Sequence, residues 1–493
     1  MARFNRLFAL FLSVVLILTA CAQSAEEQQR EAASVQPGSP EAAAPEEETE
    51  AQQFRADYLP QNDYDGYRYI IVCYQEDPKD INEPSGDLIN DSIYRRNLLI
   101  EDTYNIAFET VEYPFNEYPE VTALMKNAAV AQSDDFDLCV IVVKSAYEAV
   151  LSRYARTADQ IPYADLTQPW YFQTINDKFT FSGISLMGIN AFDLNPGGNC
   201  IIFNKNMADI LALPSPYTLV DEGGWTVDQM YSMMDAAASD LDGDGKMTMS
   251  DRFGLIGEPD TMTVLMYSGS GMTLVKEEND TLVIAEDEAL IDLLLKYLRG
   301  TEKAGTYFDT FNEIAWEENS RIKGNEFFKA GGALFIGRST DTLTSFGDME
   351  DDYGIVPYPK KDEEQKEYYV YSGGGRPAMM LSCESDPERA GVIREALAVE
   401  SLNICHPAYY ENAVKNRYIR DTESLRMLEI ITAHPVFDYG NVIWWDTIRQ
   451  PWMECVQNRS EDIASAMKKT RKMGEKAIEK LMKNVDELKG SGD

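Results

Sequence analysis

The sequence contains very little histidine and far fewer positive than negative charges. Its 493 residues include 2 histidines, and 44 lysines and arginines stand against 83 aspartates and glutamates, which gives a formal net charge of −39. Nucleic-acid binding needs a surplus of cations on one face, so this balance argues strongly against a nucleic-acid partner. The scarcity of histidine leaves little scope for histidine-based metal chemistry.

Common catalytic and zinc-binding motifs are also missing. The glycines Gly373–Gly375 lack the lysine of a P-loop, Ser268–Gly271 does not follow the G-x-S-x-G pattern, and no two cysteines are spaced as CxxC. Many accidental carboxylate pairs must exist among 83 acids, and no spacing singles out a pair for glycoside hydrolysis. We therefore predict that the protein is not an enzyme, and that its scattered cysteines are buried free thiols without zinc.

Long hydrophobic runs are absent except at the N-terminus. Leu7–Leu18 spans twelve residues with one polar member, about 18 Å of helix, which is too short for a hydrocarbon core of about 30 Å. The run therefore indicates a signal peptide. The following Leu18–Cys21 resembles a bacterial lipobox, which implies that residues 1–21 are a lipoprotein signal peptide and that Cys21 is lipidated. An ordinary secretory signal with an incidental cysteine is the alternative.

Beyond the signal peptide the chain divides into a polar segment and a folded body. Residues 22–62 are rich in Ala, Glu, Gln, Pro and Ser, and such a segment cannot bury enough apolar surface to offset its ordering entropy. It is predicted to be a disordered acidic tether. In the body, short apolar strands alternate with helical segments, which favours an α/β fold with a mostly parallel sheet in more than one lobe. Strands are predicted at 67–74, 107–113, 136–143, 199–204, 333–337, 353–357 and 378–382, and helices at 88–104, 117–132, 225–238, 286–299, 389–402, 424–433 and 460–489.

Four segments resemble, in order, motifs of bacterial extracellular solute-binding protein family 1, the maltose-binding-protein-like substrate-binding lipoproteins of ABC importers. They are GGNCIIFNKNMAD (197–209), GGWTVDQM (223–230), FFKAGGALFIGRS (327–339) and YGIVPYPK (353–360). The resemblance implies a periplasmic-binding-protein type II fold: two α/β lobes, a hinge and a ligand cleft between them. It places lobe 1 at 63–190 plus 376–436 and lobe 2 at 191–375 plus 437–489. Chain crossings are expected near 188–199, 371–376 and 436–444.

The resemblance also implies a function. The protein is expected to capture a carbohydrate or related small solute, such as a sugar or oligosaccharide, and to deliver it to ABC permease subunits. Its location would be the outer face of the bacterial cytoplasmic membrane, where only the lipid anchor touches the membrane. A surface glycan-acting enzyme and a ligand-presenting sensor module without transport remain the alternatives.

One loop in the body has the spacing of a calcium site. Acids stand at positions 1, 3, 5 and 12 of the segment 240–251, and glycine stands at position 6. This pattern wraps oxygen ligands around a hard cation, with one backbone carbonyl at position 7. A structural Ca²⁺ is predicted; a solvated acidic turn is the alternative. The expected ligands are Asp240, Asp242, Asp244, Lys246 through its carbonyl, and Asp251.

Candidate ligand contacts follow the strands and crossings. Sugars are held by aromatic faces and by polar groups that grip hydroxyls, and open sheets bind ligands at the carboxyl ends of strands. Arginine at 338, where the family often has a stacking aromatic, points to a more polar or anionic ligand. Of the two adjacent tryptophans in the late crossing, one is expected to be buried and the other to face the cleft. The predicted contacts are Tyr74, Glu76, Lys144, Ser145, Arg338, Ser339, Arg376, Trp444 and Trp445.

Overall fold

Most of the folded body is described by the computed structural model, which covers residues 53–75, 79–81, 83–114, 117–194, 198–278, 281–285, 288–314, 319–409 and 419–490. The signal peptide, Cys21, most of the predicted tether and Glu76 lie outside the described residues. The strands are β1 (Tyr67–Tyr74), β2 (Ile106–Tyr113), β3 (Leu138–Val140), β4 (Thr180–Phe181), β5 (Ile184–Ser185), β6 (Asn199–Asn204), β7 (Phe253–Gly257), β8 (Val275–Glu278), β9 (Thr281–Ile284), β10 (Tyr307–Asp309), β11 (Ala333–Ser339), β12 (Tyr353–Val356), β13 (Val370–Ser372), β14 (Ala378–Met379) and β15 (Pro435–Phe437).

Helices alternate with these strands along the chain. They are α1 (Leu88–Tyr104), α2 (Tyr118–Ala131), α3 (Val143–Leu151), α4 (Gln173–Asn176), α5 (Lys205–Ile210), α6 (Pro216–Asp221), α7 (Val227–Ala237), α8 (Pro259–Gly269), α9 (Glu288–Gly300), α10 (Thr310–Glu313), α11 (Ser320–Lys329), α12 (Pro387–Glu400), α13 (Thr422–Ala433), α14 (Tyr439–Val442), α15 (Gln450–Gln457) and α16 (Ile463–Lys489). Short 3-10 turns occupy 158–160, 177–179 and 340–346, and π-helical turns occupy 401–405 and 445–449.

The first sheet has the order β14-β3-β1-β2. Strand β1 runs parallel to β2 and β3, whereas β14 is antiparallel to β3. Residues Ile71–Tyr74 of β1 are fully buried, as expected for a central strand covered by helices on both faces. The apolar run 136–143 predicts a longer strand than exists, because β3 ends at Val140 and helix α3 already begins at Val143.

The second sheet has the order β10-β7-β11-β6-β12. Strand β7 is parallel to β10 and β11, and β6 is antiparallel to β11 and β12. Helix α13 packs against β12, and the Ile355 amide donates to Ser424 Oγ at 3.3 Å. The sequence places α13 within lobe 1, but Asp421 at its N-cap accepts from Tyr217 Oη at 2.9 Å and pairs with Lys205. This helix is therefore held by residues of the second sheet's lobe.

The crossings between the two sheets pack against one another. Strands β13 and β15 form a parallel pair in which Tyr371 lies opposite Val436. Gly374 and Gly375 follow β13 with φ of +83° and +85°, a region that L side chains rarely adopt. The Arg376 amide then donates to Asp193 Oδ2 at 2.7 Å, which joins this crossing to the one near 188–199.

Helix α16 is the longest helix of the described residues, and it reaches elements of both lobes. It packs against β9, α9 and α15, while Lys489 Nζ donates to the Ser182 carbonyl at 3.0 Å. Its apolar residues recur at helical spacing, which places a buried stripe against the body. Among the helices described here, none is both long and apolar enough to cross a bilayer.

Candidate functional site

The start of helix α3 lies against the π-helical turn at 445–449. Lys144, in the first turn of α3, places its Nζ 2.5 Å from Asp446 Oδ2 and 5.0 Å from the centre of the Trp445 ring. This helix begins at the carboxyl end of β3 in the first sheet, where an α/β sheet presents its binding groups. Lys144, Trp445 and Asp446 therefore bring together the first sheet and the last crossing.

The two adjacent tryptophans have different surroundings. Trp444 is 8% exposed and lies nearly perpendicular to Tyr147, with ring centres 6.3 Å apart. Trp445 is partly exposed, and the Arg449 guanidinium lies 5.8 Å from its ring centre. Its indole Nε1 is buried and has no hydrogen-bond acceptor among the described residues. One tryptophan is thus a packing residue, and the other has an aromatic face and a donor to offer.

Tyr74 and Arg376 lie together at the end of β1. The Tyr74 side chain is fully buried, and the Arg376 guanidinium lies 5.8 Å from its ring centre. Burial raises the pKa of Tyr74 to about 12, so the hydroxyl stays protonated under ordinary conditions. Tyr74 is therefore a packing residue at this end of the sheet, whereas Arg376 is only partly buried.

The glycines beside Arg376 allow close approach of the crossings. A Cβ on Gly374 would lie 3.0 Å from the Phe437 ring and 3.1 Å from Val143, and a Cβ on Gly375 would lie 2.4 Å from Asp193 Oδ2. These three short distances and the positive φ angles favour glycine at both positions. The crossing expected near 371–376 therefore lies where it meets the other two crossings and the start of α3.

Ser145 and Arg338 are placed differently from the sequence prediction. Ser145 is buried, and its hydroxyl accepts from Thr122 Oγ1 at 2.7 Å between α2 and α3. Arg338 is 2% exposed, and its NH1 lies 3.2 Å from Glu258 Oε2 while its Nε donates to Asn325 Oδ1 at 2.8 Å. Burial lowers the pKa of Arg338. Both side chains are buried and engaged inside the lobes, and the Arg338 NH2 has no hydrogen-bond partner among the described residues.

Ser339 lies on the opposite side of its strand from Arg338, since successive residues of a strand alternate in direction. It is paired in register with Asn199, whose Nδ2 donates to the Tyr371 carbonyl at 3.4 Å. Ser339 therefore lies beside the crossings, and its role as a ligand contact stays a prediction.

Tyr147, Asp446 and Arg449 belong to the cluster around the tryptophans but were missed by the sequence analysis. Tyr147 stands three residues after Lys144 on the same face of α3, and Arg449 stands four residues after Trp445. Helical spacing of this kind brings side chains together. This spacing is informative only if the residues after Trp444 are helical, and the structure has a helical turn at Trp445–Arg449.

The predicted calcium loop brings three of its four acids together. Carboxylate oxygens of Asp240, Asp242 and Asp244 lie within 4.8 Å of one another on the surface. Asp240 accepts from the Gly243 and Gly245 amides at 2.7 and 2.9 Å, which curls the loop around it. Asp251 is instead buried and accepts from the Leu241 and Thr248 amides, each at 2.8 Å. The oxygen-only donor set fits Ca²⁺ chemistry, with Asp251 closing the loop rather than joining the three acids.

No family model and no curated protein matches the sequence. Solved structures do match. The galacto-N-biose/lacto-N-biose I-binding protein of an ABC transporter from Bifidobacterium longum, in complex with lacto-N-biose, has a TM-score of 0.58 at 13% identity, covering 85% of this chain and 98% of that one. The GacH receptor of Streptomyces glaucescens, described in complex with acarbose, has a TM-score of 0.57 at 14% identity over 84% and 99%.

A third match points the same way. The maltose/maltodextrin-binding domain MalE of Bdellovibrio bacteriovorus, bound to maltotriose, has a TM-score of 0.56 at 16% identity over 84% of this chain and all of that one. The chain has the fold of ABC-importer solute-binding proteins. This confirms the fold inferred from the sequence motifs, two α/β lobes of the periplasmic-binding-protein type II class. The three matched structures are named as a receptor, a binding protein and a binding domain.

Proposed function

We propose that this protein binds a carbohydrate, or a related small solute, between its lobes as the substrate-binding protein of an ABC importer. The observation that carries the proposal is the cluster of Lys144, Trp445 and Asp446, in which an aromatic face and polar groups of both signs meet at the junction of the sheets. Three proteins of the same fold bind acarbose, lacto-N-biose and maltotriose.

The chemistry of the cluster suits a sugar. The face of Trp445 can stack on the C–H surface of a pyranose, and its Nε1 can donate to a hydroxyl. Lys144 can donate to ring or hydroxyl oxygens, and Asp446 can accept from hydroxyls. Because the Asp446 side chain is 68% exposed, its pairing with Lys144 opens at little cost when a solute competes for either group.

Closure of the lobes on the solute would use the crossings. The left-handed glycines Gly374 and Gly375 join β13 to Arg376, and a few such residues suffice to absorb the backbone rotation of a hinge. Arg376 would then be carried toward the cluster from the first sheet's side.

A thermal-shift screen against mono- and oligosaccharides tests the proposal. A solute present at 100 times its dissociation constant adds about 2.7 kcal/mol to the free energy of unfolding. For a chain of this size we expect the melting temperature to rise by a few degrees. The stabilisation should fall in Trp445→Ala and persist in Trp444→Phe, which keeps an aromatic ring at the adjacent buried position. Equal stabilisation of both variants would contradict this placement of the site.

Membrane attachment and delivery to a permease complete the proposal. Both rest on the N-terminal lipobox and on the fold, with the protein tethered through Cys21 at the outer face of the cytoplasmic membrane. Cys21→Ser should release the protein from membranes or leave it unprocessed. Normal maturation with unchanged membrane retention would contradict lipidation.

The loop 240–251 is proposed to hold a structural Ca²⁺ through Asp240, Asp242 and Asp244, with the Lys246 carbonyl as a further ligand. The proposal is supported by the ligand spacing in the sequence and by the clustering of the three carboxylates. Its effect would be to neutralise three adjacent negative charges and to fix the loop after α7.

A further inference from the structure

A cavity of about 430 Å³ lies apart from the cluster of Lys144 and Trp445 and shares no lining residue with it. It is formed where the chain after α3 meets the residues after β14 and the end of α16. Its volume falls in the range of sites that hold small organic molecules. The lining residues are Arg153, Ala155, Arg156, Gln160, Ser382 and Leu488.

Backbone pairing fixes Arg156 at the edge of the first sheet. Ala155 forms a bridge with Leu381, the Arg156 amide donates to the Met380 carbonyl at 3.0 Å, and the Ser382 amide donates to the Tyr154 carbonyl at 2.9 Å. The segment that carries Arg156 is thus an extension of the sheet. Arg153 lies in the turn that ends α3, where its amide donates to the Val150 carbonyl at 2.9 Å.

The guanidinium groups of both arginines have N–H donors that lack close hydrogen-bond acceptors. Arg156 Nε is buried without a hydrogen-bond partner among the described residues, and Arg156 NH2 reaches the Ser382 carbonyl only at 3.5 Å. Arg153 NH2 lies 3.4 Å from the Glu487 carbonyl. Both distances exceed the usual range of about 2.7–3.2 Å for such bonds. Each guanidinium therefore retains donors for a stronger acceptor, and a buried unsatisfied donor is costly unless an acceptor arrives.

Gln160 adds a further donor to the cavity. Gln160 Oε1 already accepts from the Thr157 amide at 3.2 Å, which leaves the amide nitrogen of Gln160 to face a ligand. Among the described residues, none that lines the cavity is acidic, although the chain carries 83 acidic residues. The nearby Asp159 carboxylate accepts from the Ser185 amide at 2.7 Å. The cavity is therefore a concentration of positive charge and donors in an acidic protein.

We propose that this cavity binds a small oxyanion, the carboxylate or phosphate group of an organic solute. Arg156 would donate through Nε and one terminal nitrogen to two oxygens of the group, the fork geometry that guanidinium offers to carboxylate and phosphate. Arg153 and Gln160 would bind the remaining oxygens. The site is independent of the proposed sugar site, because the two share no residue.

The test is calorimetric titration of the purified protein with inorganic phosphate and with succinate, in a phosphate-free buffer at constant ionic strength. Wild type is compared with Arg156→Ala and with Arg68→Ala. Arg68 is the matched control because it is an exposed arginine of the same sheet, paired with Glu109 on the surface. We expect binding in wild type and in Arg68→Ala, and at least about 10-fold weaker binding in Arg156→Ala, the loss for a hydrogen-bonded charged group.

A second variant and a vesicle-binding measurement complete the test. If circular dichroism shows that Arg156→Ala does not fold, Gln160→Ala replaces it and should also weaken binding. Flotation with vesicles that contain anionic phospholipid distinguishes a lipid headgroup from a free solute. Absence of phosphate and succinate binding at millimolar concentrations, equal affinity in the variant and wild type, or binding to vesicles alone would each overturn the proposal.

Discussion

Lys144 Nζ lies 2.5 Å from Asp446 Oδ2, although the two residues are 302 positions apart in the chain. The contact joins the first turn of α3, at the end of a strand of the first sheet, to the turn that follows the last crossing. Exposed pairs of this kind contribute about 1 kcal/mol or less to stability. The ion pair matters because it holds Lys144 over the adjacent Trp445 ring, with Nζ 5.0 Å from the ring centre.

Trp444 is expected to matter for stability rather than for binding. It is buried against Tyr147 and Tyr439, with ring-centre distances of 6.3 and 6.2 Å. Trp444→Ala should lower the free energy of unfolding by about 3–5 kcal/mol, the usual cost of removing a buried tryptophan. Urea denaturation of the variant checks this, with Trp445→Ala as the adjacent control that should lose clearly less. Equal losses would mean that both rings are packing residues.

Arg338→Ala should destabilise the second lobe without a specific effect on ligand affinity. The arginine is buried beside Glu258 and Asn325, and removing one member of a buried ion pair costs about 3–5 kcal/mol because the other charge is left uncompensated. Urea denaturation measures the loss. Arg299→Ala removes an arginine from an exposed pair with Glu461 and should change stability little. A stable Arg338→Ala that binds the sugar less tightly would contradict the buried role.

The sequence predicted the main elements well and the site only in part. The strand Tyr67–Tyr74 and the helix Leu88–Tyr104 carry their own signals, because apolar periodicity and an Asp87 N-cap are local features. The direction of Arg338 is not local: it depends on which face of β11 meets α11 and Glu258. The end of β3 also could not be read from the run 136–143, because apolar residues continue from the strand into α3.

Stability should decrease as pH rises from about 4.5 to about 7. Burial raises the pKa of Asp137 to about 6 and that of Glu384 to about 7, and Arg389, 3.5 and 3.6 Å from them, only partly offsets this. In that range the folded state binds more protons than the unfolded state, so each unit of pH lowers the free energy of unfolding. The contribution is fully present below the unfolded-state pKa values and is lost as the pH passes the folded-state ones.

Glu384→Gln provides the check, because the neutral amide cannot titrate. Urea midpoints at pH 5 and pH 8 should differ less in this variant than in wild type, although a slope from Asp137 and Asp438 will remain. The exposed substitution Glu475→Gln serves as the control and should keep the wild-type difference. An unchanged difference in Glu384→Gln would show that this carboxyl does not titrate abnormally in the folded state.

Calcium should raise the melting temperature through the loop 240–251. Three adjacent carboxylates repel one another when no cation is bound, so the wild type is expected to melt higher in calcium than in chelator. The double variant Asp240→Ala with Asp244→Ala should melt at the same temperature in both. Asp235→Ala, which removes an exposed acid of α7 paired with Lys303, should retain the response. If the wild type melts at the same temperature in calcium and in chelator, the loop is an acidic turn without a bound ion.

The measurement that tests the central claim most directly is calorimetric titration of wild type, Trp445→Ala and Trp444→Phe with maltotriose, lacto-N-biose and the sugars that stabilise the protein in the thermal-shift screen. Truncating a tryptophan that stacks on a ligand typically costs more than about 2 kcal/mol, a loss of roughly 30-fold in affinity. The account predicts such a loss in folded Trp445→Ala and near-wild-type affinity in Trp444→Phe. A sugar bound with the same affinity by wild type and folded Trp445→Ala would contradict it.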